Sequence, residues 1–381
     1  MLINRTYKYK LYRSKKNKVL ARRIDIAGII YNHCLSLHRR YYRLYGKHLN
    51  QYALMRHITK LKKREQYSYW NIVGSQAIQD IIQRIEKAYL LFFRNLKAGI
   101  KASPPGFKKV KKYKSFTLKQ AGWKLLDGNK IRIGSQTYKY SKSRELPVDI
   151  KTVTIKRDAL GDLWLCFSAE EEVEIPDRAG KIAVGYDFGL KTFLVGSDGS
   201  SYESPMYYQR ALKELKKAHQ NLSSKQKDSN NRRKARQDLV RLYRRVVDCR
   251  RDYFFKLAHE ITDKYDYVFL EDLNLKGMQR SWGRKVQDLS HGQFVDILKY
   301  VAKLKGKEAV VINRFYPSTK KCHICGGINH DLSLSARTWL CNNCGAFHDR
   351  DSNAAINILM EGASSIGLGD VRPCDFEAIP A

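Results

Sequence analysis

The sequence has no apolar run near the roughly 18 residues that a membrane-spanning helix requires. Its longest runs, such as Ala88 to Phe93, fall far short, so a soluble chain is expected. The N-terminus lacks the continuous apolar core of a secretory signal. Met1 to Lys10 alternates basic and aromatic residues and reads as a strand retained in the mature protein. Acidic residues are scarce: 37 Asp and Glu stand against 72 Lys and Arg, a formal net charge of +35. That excess exceeds what solubility requires and points to a polyanionic partner. A disulfide framework is not needed at this length. Of eight cysteines, Cys34, Cys166, Cys249 and Cys374 stand singly and four form two tight pairs, the usage of a reducing cytoplasm, where the chain is expected to reside. With 381 residues there is room for two or three domains, each with its own core.

Glycine and proline are also sparse from about Lys15 to Gly99. Apolar residues recur there at helical spacing, as in Ala77, Ile78, Ile81, Ile82, Ile85, Ala88, Tyr89 and Phe92, so a helical lobe is expected. Gln76 and Gln79 on its helix suit adenine edges. Ser103-Pro104-Pro105-Gly106 ends the pattern and opens short alternating runs, with a hairpin expected over 153–168 in a small β-domain. Lys108, Lys109, Lys111 and Lys112 at its entrance, beside Tyr113 and Phe116, suit a nucleic-acid backbone with exposed bases. From Gly180 onward strands and helices alternate, which predicts an α/β layer; two helices should flank the polar break at Asp228. The tail after about Gly362 is rich in Gly, Ser and Pro and is expected to be poorly ordered.

Two constellations carry chemistry. Cys322-His-Ile-Cys325 and Cys341-Asn-Asn-Cys344, with fifteen residues between, have the spacing of a four-cysteine structural zinc site. Four thiolates close a tetrahedron, so this zinc should hold structure and leave no position for hydrolysis. Three acids sit at element ends. Asp187 ends an apolar strand between Gly185 and Gly189, Glu271 ends the run Tyr267-Val-Phe-Leu, and the third belongs to a helix start with two candidates. Asp351 shares a stripe with Ala354, Ala355 and Ile358, whereas Asp349 lines up with Asn353 and Asn357 on the polar side, so Asp351 is chosen. Singly, a turn residue, a salt-bridge partner and an N-cap would explain them. Jointly, they form the layout that holds two divalent ions about 4 Å apart for in-line phosphodiester hydrolysis. Oxygen-only ligands favour Mg²⁺ or Mn²⁺.

Gly-Tyr-Asp187-Phe-Gly-Leu-Lys, Leu-Glu271-Asp-Leu-Asn, Phe315-Tyr-Pro-Ser-Thr-Lys-Lys-Cys-His-Ile-Cys and His-Asp-Arg-Asp351-Ser-Asn-Ala-Ala resemble the split RuvC nuclease and zinc ribbon of TnpB proteins, relatives of type V CRISPR effectors. Tyr31-Asn-His-Cys-Leu, Ser75-Gln-Ala-Ile-Gln-Asp with Phe92-Phe93, and Pro105-Gly-Phe-Lys-Lys add looser likeness. The resemblance implies an α/β and α+β multidomain protein. Its RNase H-like (RuvC) nuclease domain, over 181–321 and 345–361, carries an inserted zinc ribbon over 322–344 that binds target nucleic acid. A β-barrel wedge domain over 1–14 and 103–180 precedes it, with a helical recognition lobe inserted over 15–102, and a tail spans 362–381. It further implies an RNA-guided DNA endonuclease associated with a transposon, a guide RNA from the transposon end, and a double-stranded target beside a short adjacent motif. The catalytic roles fall on Asp187, Glu271 and Asp351. No small-molecule cofactor and no membrane partner are expected. The rival readings are a guided repressor that does not cut, an RNase H-like transposase or resolvase, and a zinc-ribbon RNA-binding protein whose acids are structural.

Overall fold

Alternation in the first residues produces the strand it predicts. In β1 (Leu2–Lys10) Tyr7 and Tyr9 are buried and Lys8 is exposed. The computed structural model describes residues 2–176, 182–190, 192–275, 277–278, 280, 283, 288–333 and 336–368. It comprises two compact units, Met1–Val173 and Glu174–Ala381.

In the first unit β1 leads into α1 (Asn17–Tyr45), α2 (Gln51–Leu61) and α3 (Ser75–Lys97). The strands β2 (Ser115–Leu118), β3 (Trp123–Leu126), β4 (Lys130–Ile133), β5 (Gln136–Lys139), β6 (Ile150–Arg157) and β7 (Leu163–Glu172) follow. They form two sheets, β1-β7-β6-β2 and β3-β4-β5, with a single bridge from Leu11 to Tyr140. The expected hairpin is β6 and β7, paired antiparallel. The apolar stripe of α3 is buried at Ala77, Ile78, Ile81, Ile82, Ile85 and Tyr89. It shares one hydrophobic core with Leu20 and Ile24 of α1 and with Phe116, Ile155 and Phe167 of the sheet, so helices and strands here stabilise each other. Arg84 ties the layers polar-side, donating from Nη2 to Thr117 Oγ1 at 2.7 Å.

The second unit runs β8 (Ala183–Phe188), β9 (Thr192–Gly196), β10 (Ser201–Glu203), α4 (Tyr207–Ser223), α5 (Asn230–Lys264), β11 (Tyr267–Leu270), α6 (His291–Leu304), β12 (Glu308–Val311), β13 (Thr338–Leu340), β14 (Phe347–Asp349) and α7 (Arg350–Ser365). The polar break between α4 and α5 lies where expected, with Ser229 capping α5 by accepting from Arg232 N. The main sheet has the order β10-β9-β8-β11-β12, with β11 parallel to both β8 and β12. Parallel neighbours require crossovers, here supplied by the helices between them.

The two faces of β8 and β11 separate by residue parity. Val184, Tyr186, Phe188, Val268 and Leu270 pack in a cluster with Phe254, Leu257 and Ile261 of α5 and Phe294 and Leu298 of α6. Ala183, Tyr267 and Phe269 pack instead with Ile358, Leu359 and Ala363 of α7. The second face is unusually close. A Cβ on Gly185 would lie 2.3 Å from the Ala355 carbonyl oxygen and 2.5 Å from Leu359 N, and one on Gly362 would lie 2.1 Å from the Phe269 ring. Both obstacles to residue 185 are helix backbone, which cannot swing aside.

Helix α7 continues through buried Ala363 to Ser365, so the first residues expected of the tail belong to the core. Residues 369–381 of that tail lie outside the described residues. No described helix is long and apolar enough to cross a membrane.

Replacing Gly185 with Ala should lower stability by roughly 1–3 kcal/mol through overpacking, read as a lower urea midpoint. Gly106→Ala, where a methyl meets nothing, should stay within about 0.5 kcal/mol of the parent. Equal midpoints for the two variants would contradict the close packing of α7.

Candidate active site

Sheet register brings the first two acids together. Leu270 of β11 lies opposite Tyr186 of β8 in parallel pairing, so the next step along each chain sets Glu271 beside Asp187. Parity assigns Asp187 to the α7 face, with Ala183 and Gly185, and Glu271 extends the line of Tyr267 and Phe269 on that face. Asp351 stands in the first turn of α7, one turn before Ala355, whose carbonyl rests over Gly185. The close approach that Gly185 permits thus sets the height of Asp351 over the sheet. Asp349 serves instead as the N-cap of α7, accepting from Ser352 N at 2.9 Å.

The electrostatics follow from that crowding. Asp187 is buried, and burial first, then the charges of Glu271 and Asp351, push its carboxyl well above the usual carboxylate range. Arg350 and the backbone N–H of Phe188 act in the opposite direction. Burial and the neighbouring Asp272 also raise Glu271. Asp351 is held by two guanidinium groups, Arg337 Nη1 at 3.0 Å and Arg350 Nε and Nη2 at 3.1 Å. A buried carboxylate facing two more is destabilising unless positive charge joins it. Its oxygen-only donors suit a hard divalent cation.

The four paired cysteines form the one set of three or more His, Cys, Asp or Glu, among the described residues, whose ligand atoms all come within 4.8 Å of one another. Cys322 Sγ lies 3.7 Å from Cys344 Sγ, and Cys325 Sγ lies 3.6 Å from Cys341 Sγ. Sulfurs about 2.3 Å from a zinc ion stand about 3.8 Å apart at tetrahedral corners, so the thiols fit that ion. Each knuckle has the same build: Gly326 N donates to Cys322 O at 2.9 Å, and Gly345 N to Cys341 O at 2.9 Å. Both glycines sit at positive φ, 76° and 70°, which a Cβ would disfavour.

Asn353 and Asn357, expected on a polar side of the helix, are each 1% exposed. Their face is polar yet covered, because it docks the entry of the ribbon. Asn353 Nδ2 donates to Lys321 O at 2.8 Å and its Oδ1 accepts from His323 N at 3.1 Å. Asn357 Nδ2 donates to Ser318 O at 2.9 Å and Lys321 O at 2.6 Å. His348 is also buried, with Nε2 3.1 Å from Cys322 Sγ; in the tautomer protonated there, it donates to the sulfur. These residues tie the cysteine site to the helix bearing Asp351. Sequence reading missed them, although Asn-x-x-x-Asn on one helix face was a visible signal.

In the first unit, Gln76 Oε1 is engaged with Lys119 N at 3.2 Å, while Gln79 is exposed on α3. Lys108, Lys109, Lys111 and Lys112 are all exposed. Lys108 Nζ lies 5.1 Å from the Tyr31 ring centroid, and Lys111 Nζ pairs with Asp25 at 2.7 Å.

Comparison with known proteins places this arrangement. The family OrfB_IS605, described as "Probable transposase", matches residues 166–281, and the family "Cas12f1-like, TNB domain" matches residues 291–358. A protein of Streptomyces pristinaespiralis named "Putative RNA-guided DNA endonuclease" is 29% identical over 382 residues, spanning 97% of this chain and 92% of its own length. The InsQ protein of Escherichia coli K12, with the same description, is 26% identical over 316 residues, spanning 78% and 77%. The chain is thus similar to proteins of the TnpB kind. A solved structure titled "Cryo-EM structure of the Cas12f1-sgRNA-target DNA complex" shares the fold, with a TM-score of 0.57 at 14% identity over 94% of this chain and 98% of that one. This protein is thus an α/β multidomain chain with a four-cysteine cluster compatible with zinc.

The purified chain should carry about one zinc ion by elemental mass spectrometry, and Cys322→Ser or Cys341→Ser should release it and lower the thermal midpoint. A parent protein free of zinc, or full zinc retention in both variants, would contradict the site.

Proposed function

We propose that this protein is an RNA-guided DNA endonuclease associated with a transposon, and that Asp187, Glu271 and Asp351 are its catalytic carboxylates. The observation that carries the reading is that Asp187 is buried where its charge is costly, with Glu271 beside it in the sheet register and Asp351 of the helix α7 both acting on it electrostatically. The relatives spanning most of the chain bear that functional description. The five-stranded sheet of the second unit is read as the RNase H-like core, and the first unit as wedge domain and recognition lobe. Mg²⁺ or Mn²⁺ bound there would activate water and stabilise the leaving oxygen of a phosphodiester.

The protein's own residues then have separable roles. Asp187 and Glu271, fixed by adjacent parallel strands, set a rigid floor of negative oxygen ligands. Asp351 comes from a helix whose height is set by Gly185, and Arg337 and Arg350 hold its carboxylate at the rim. Burial of Asp187 keeps bulk water from its oxygens, which strengthens interactions with any cation. The four cysteines stabilise the ribbon that supplies Arg337 and braces α7. The net charge of +35 serves guide RNA and target DNA through their phosphates, while base pairing supplies sequence specificity.

The test is purification from cells expressing the native flanking locus, sequencing of co-purified RNA, and cleavage of DNA matched to its variable end with added Mg²⁺. A discrete RNA is expected, with cleavage lost by at least about a thousandfold in Asp187→Ala while RNA stays bound. A discrete RNA without cleavage by the parent protein would favour a guided repressor, and strand-transfer products would favour a transposase.

A further inference from the structure

A cavity of about 590 Å³ opens between α1 and α3 of the first unit, away from the carboxylates and the cysteines in sequence. It is lined by Arg39, Tyr42, Arg43, His48, Phe93 and Leu96, among others. That volume lies within the roughly 300–1,000 Å³ of small-ligand sites. Its floor is a stacked pair: the rings of buried His38 and Tyr89 lie 4.1 Å apart at 17°.

His48 is a fixed wall. Its Nδ1 lies 3.0 Å from His38 Nε2, and its Nε2 lies 3.0 Å and 3.1 Å from the two Glu86 carboxylate oxygens. With both nitrogens engaged, the ring can offer only its faces and carbon edges, and it stands edge-on to Phe93 at 6.1 Å. Phe93 and Tyr42 remain 40% and 59% exposed, although they are large aromatic side chains. Among the described residues that line the cavity there is no acid, and the Glu86 carboxylate behind its wall is taken up by His48. Arg39 donates to the Pro105 carbonyl at 2.7 Å and lies over Phe107, so its charge meets no carboxylate there. Arg43 is exposed on the same side.

Aromatic surface, cationic rim and an absence of acids describe a site for a flat ring attached to an anion. We propose that this cavity receives an unpaired nucleobase of a single-stranded RNA segment, stacked against Phe93 and Tyr42, with Arg39 and Arg43 at its phosphates. This rests on the reading that RNA is a resident partner. A paired base stays stacked within its helix, so the occupant must come from a loop, bulge or single-stranded stretch, as in sequence-read RNA generally. The walls provide stacking faces and few base-edge partners, so occupancy should tolerate all four bases.

The test uses the full chain, freed of nucleic acid by high salt, and a single-stranded RNA carrying 4-thiouridine. Irradiation should join the RNA to peptides bearing Tyr42, His48 or Phe93. Tyr42→Ala with Phe93→Ala should abolish that crosslink and weaken RNA binding on the order of tenfold, and Tyr300→Ala on α6 should change neither. The same sequence as DNA should crosslink there far less. RNA binding with crosslinks only at other peptides would overturn the proposal while leaving the RNA-partner reading intact; no RNA binding by the parent chain would overturn both. Equal crosslinking of DNA would overturn the assignment to RNA. A dimer that dissociates in the double variant without change in RNA binding would identify a second copy as the occupant and overturn it too.

Discussion

Asp187, buried within electrostatic reach of Glu271 and of Asp351 from the facing helix, is the constraint on which the second unit depends. Negative charge in that place is unfavourable, and burial and like charge together raise Asp187 well above its ordinary range. Close packing creates it. Gly185 removes the side chain that would hold α7 off the sheet, and Gly362 does the same beneath Phe269. Without those two approaches, Asp351 would stand farther from the strand ends that carry Asp187 and Glu271.

A second layer of order fixes the helix along its polar side. Asn353 and Asn357 satisfy backbone groups at Ser318, Lys321 and His323, and His348 reaches Cys322. Buried amides bonded to several backbone carbonyls and N–H groups specify one register of helix against ribbon, since a slip would orphan several polar groups. The cysteine site therefore does more than hold a small hairpin: it anchors the segment that leads into the helix of the third carboxylate, and it carries Arg337 to that carboxylate.

Much of this was legible in the sequence because local patterns and global fold agree. The Cys spacing, the strand ends at Asp187 and Glu271, the break at Asp228 and the stripe of α3 each have a short-range physical signature. The choice of Asp351 over Asp349 rested on helical phase, and capping by Asp349 now gives that acid its own role. Less was legible where long-range docking decides. Asn353 and Asn357 look like solvated polar residues until the ribbon covers them. The pairing of the first-unit strands into a four-stranded and a three-stranded sheet, bridged from Leu11 to Tyr140, had no such signature. Alternation gives faces but not partners, and partner choice depends on contacts distant in sequence. The cavity draws Arg39, Tyr42 and Arg43 from a basic and aromatic run of α1 that is visible in the sequence, but no local pattern joins that run to Phe93 and Leu96 of α3 and to His48 of the loop.

On the proposed function, the like-charged burial at Asp187 would be relieved by a divalent cation. The thermal midpoint of the chain, zinc retained, can be followed as Mn²⁺ is added to the parent protein and to Asp187→Asn. The midpoint should rise with Mn²⁺ in the parent, by the linkage of binding to the folded state, and stay flat in the variant. An equal rise in both proteins, or none in the parent, would contradict the claim.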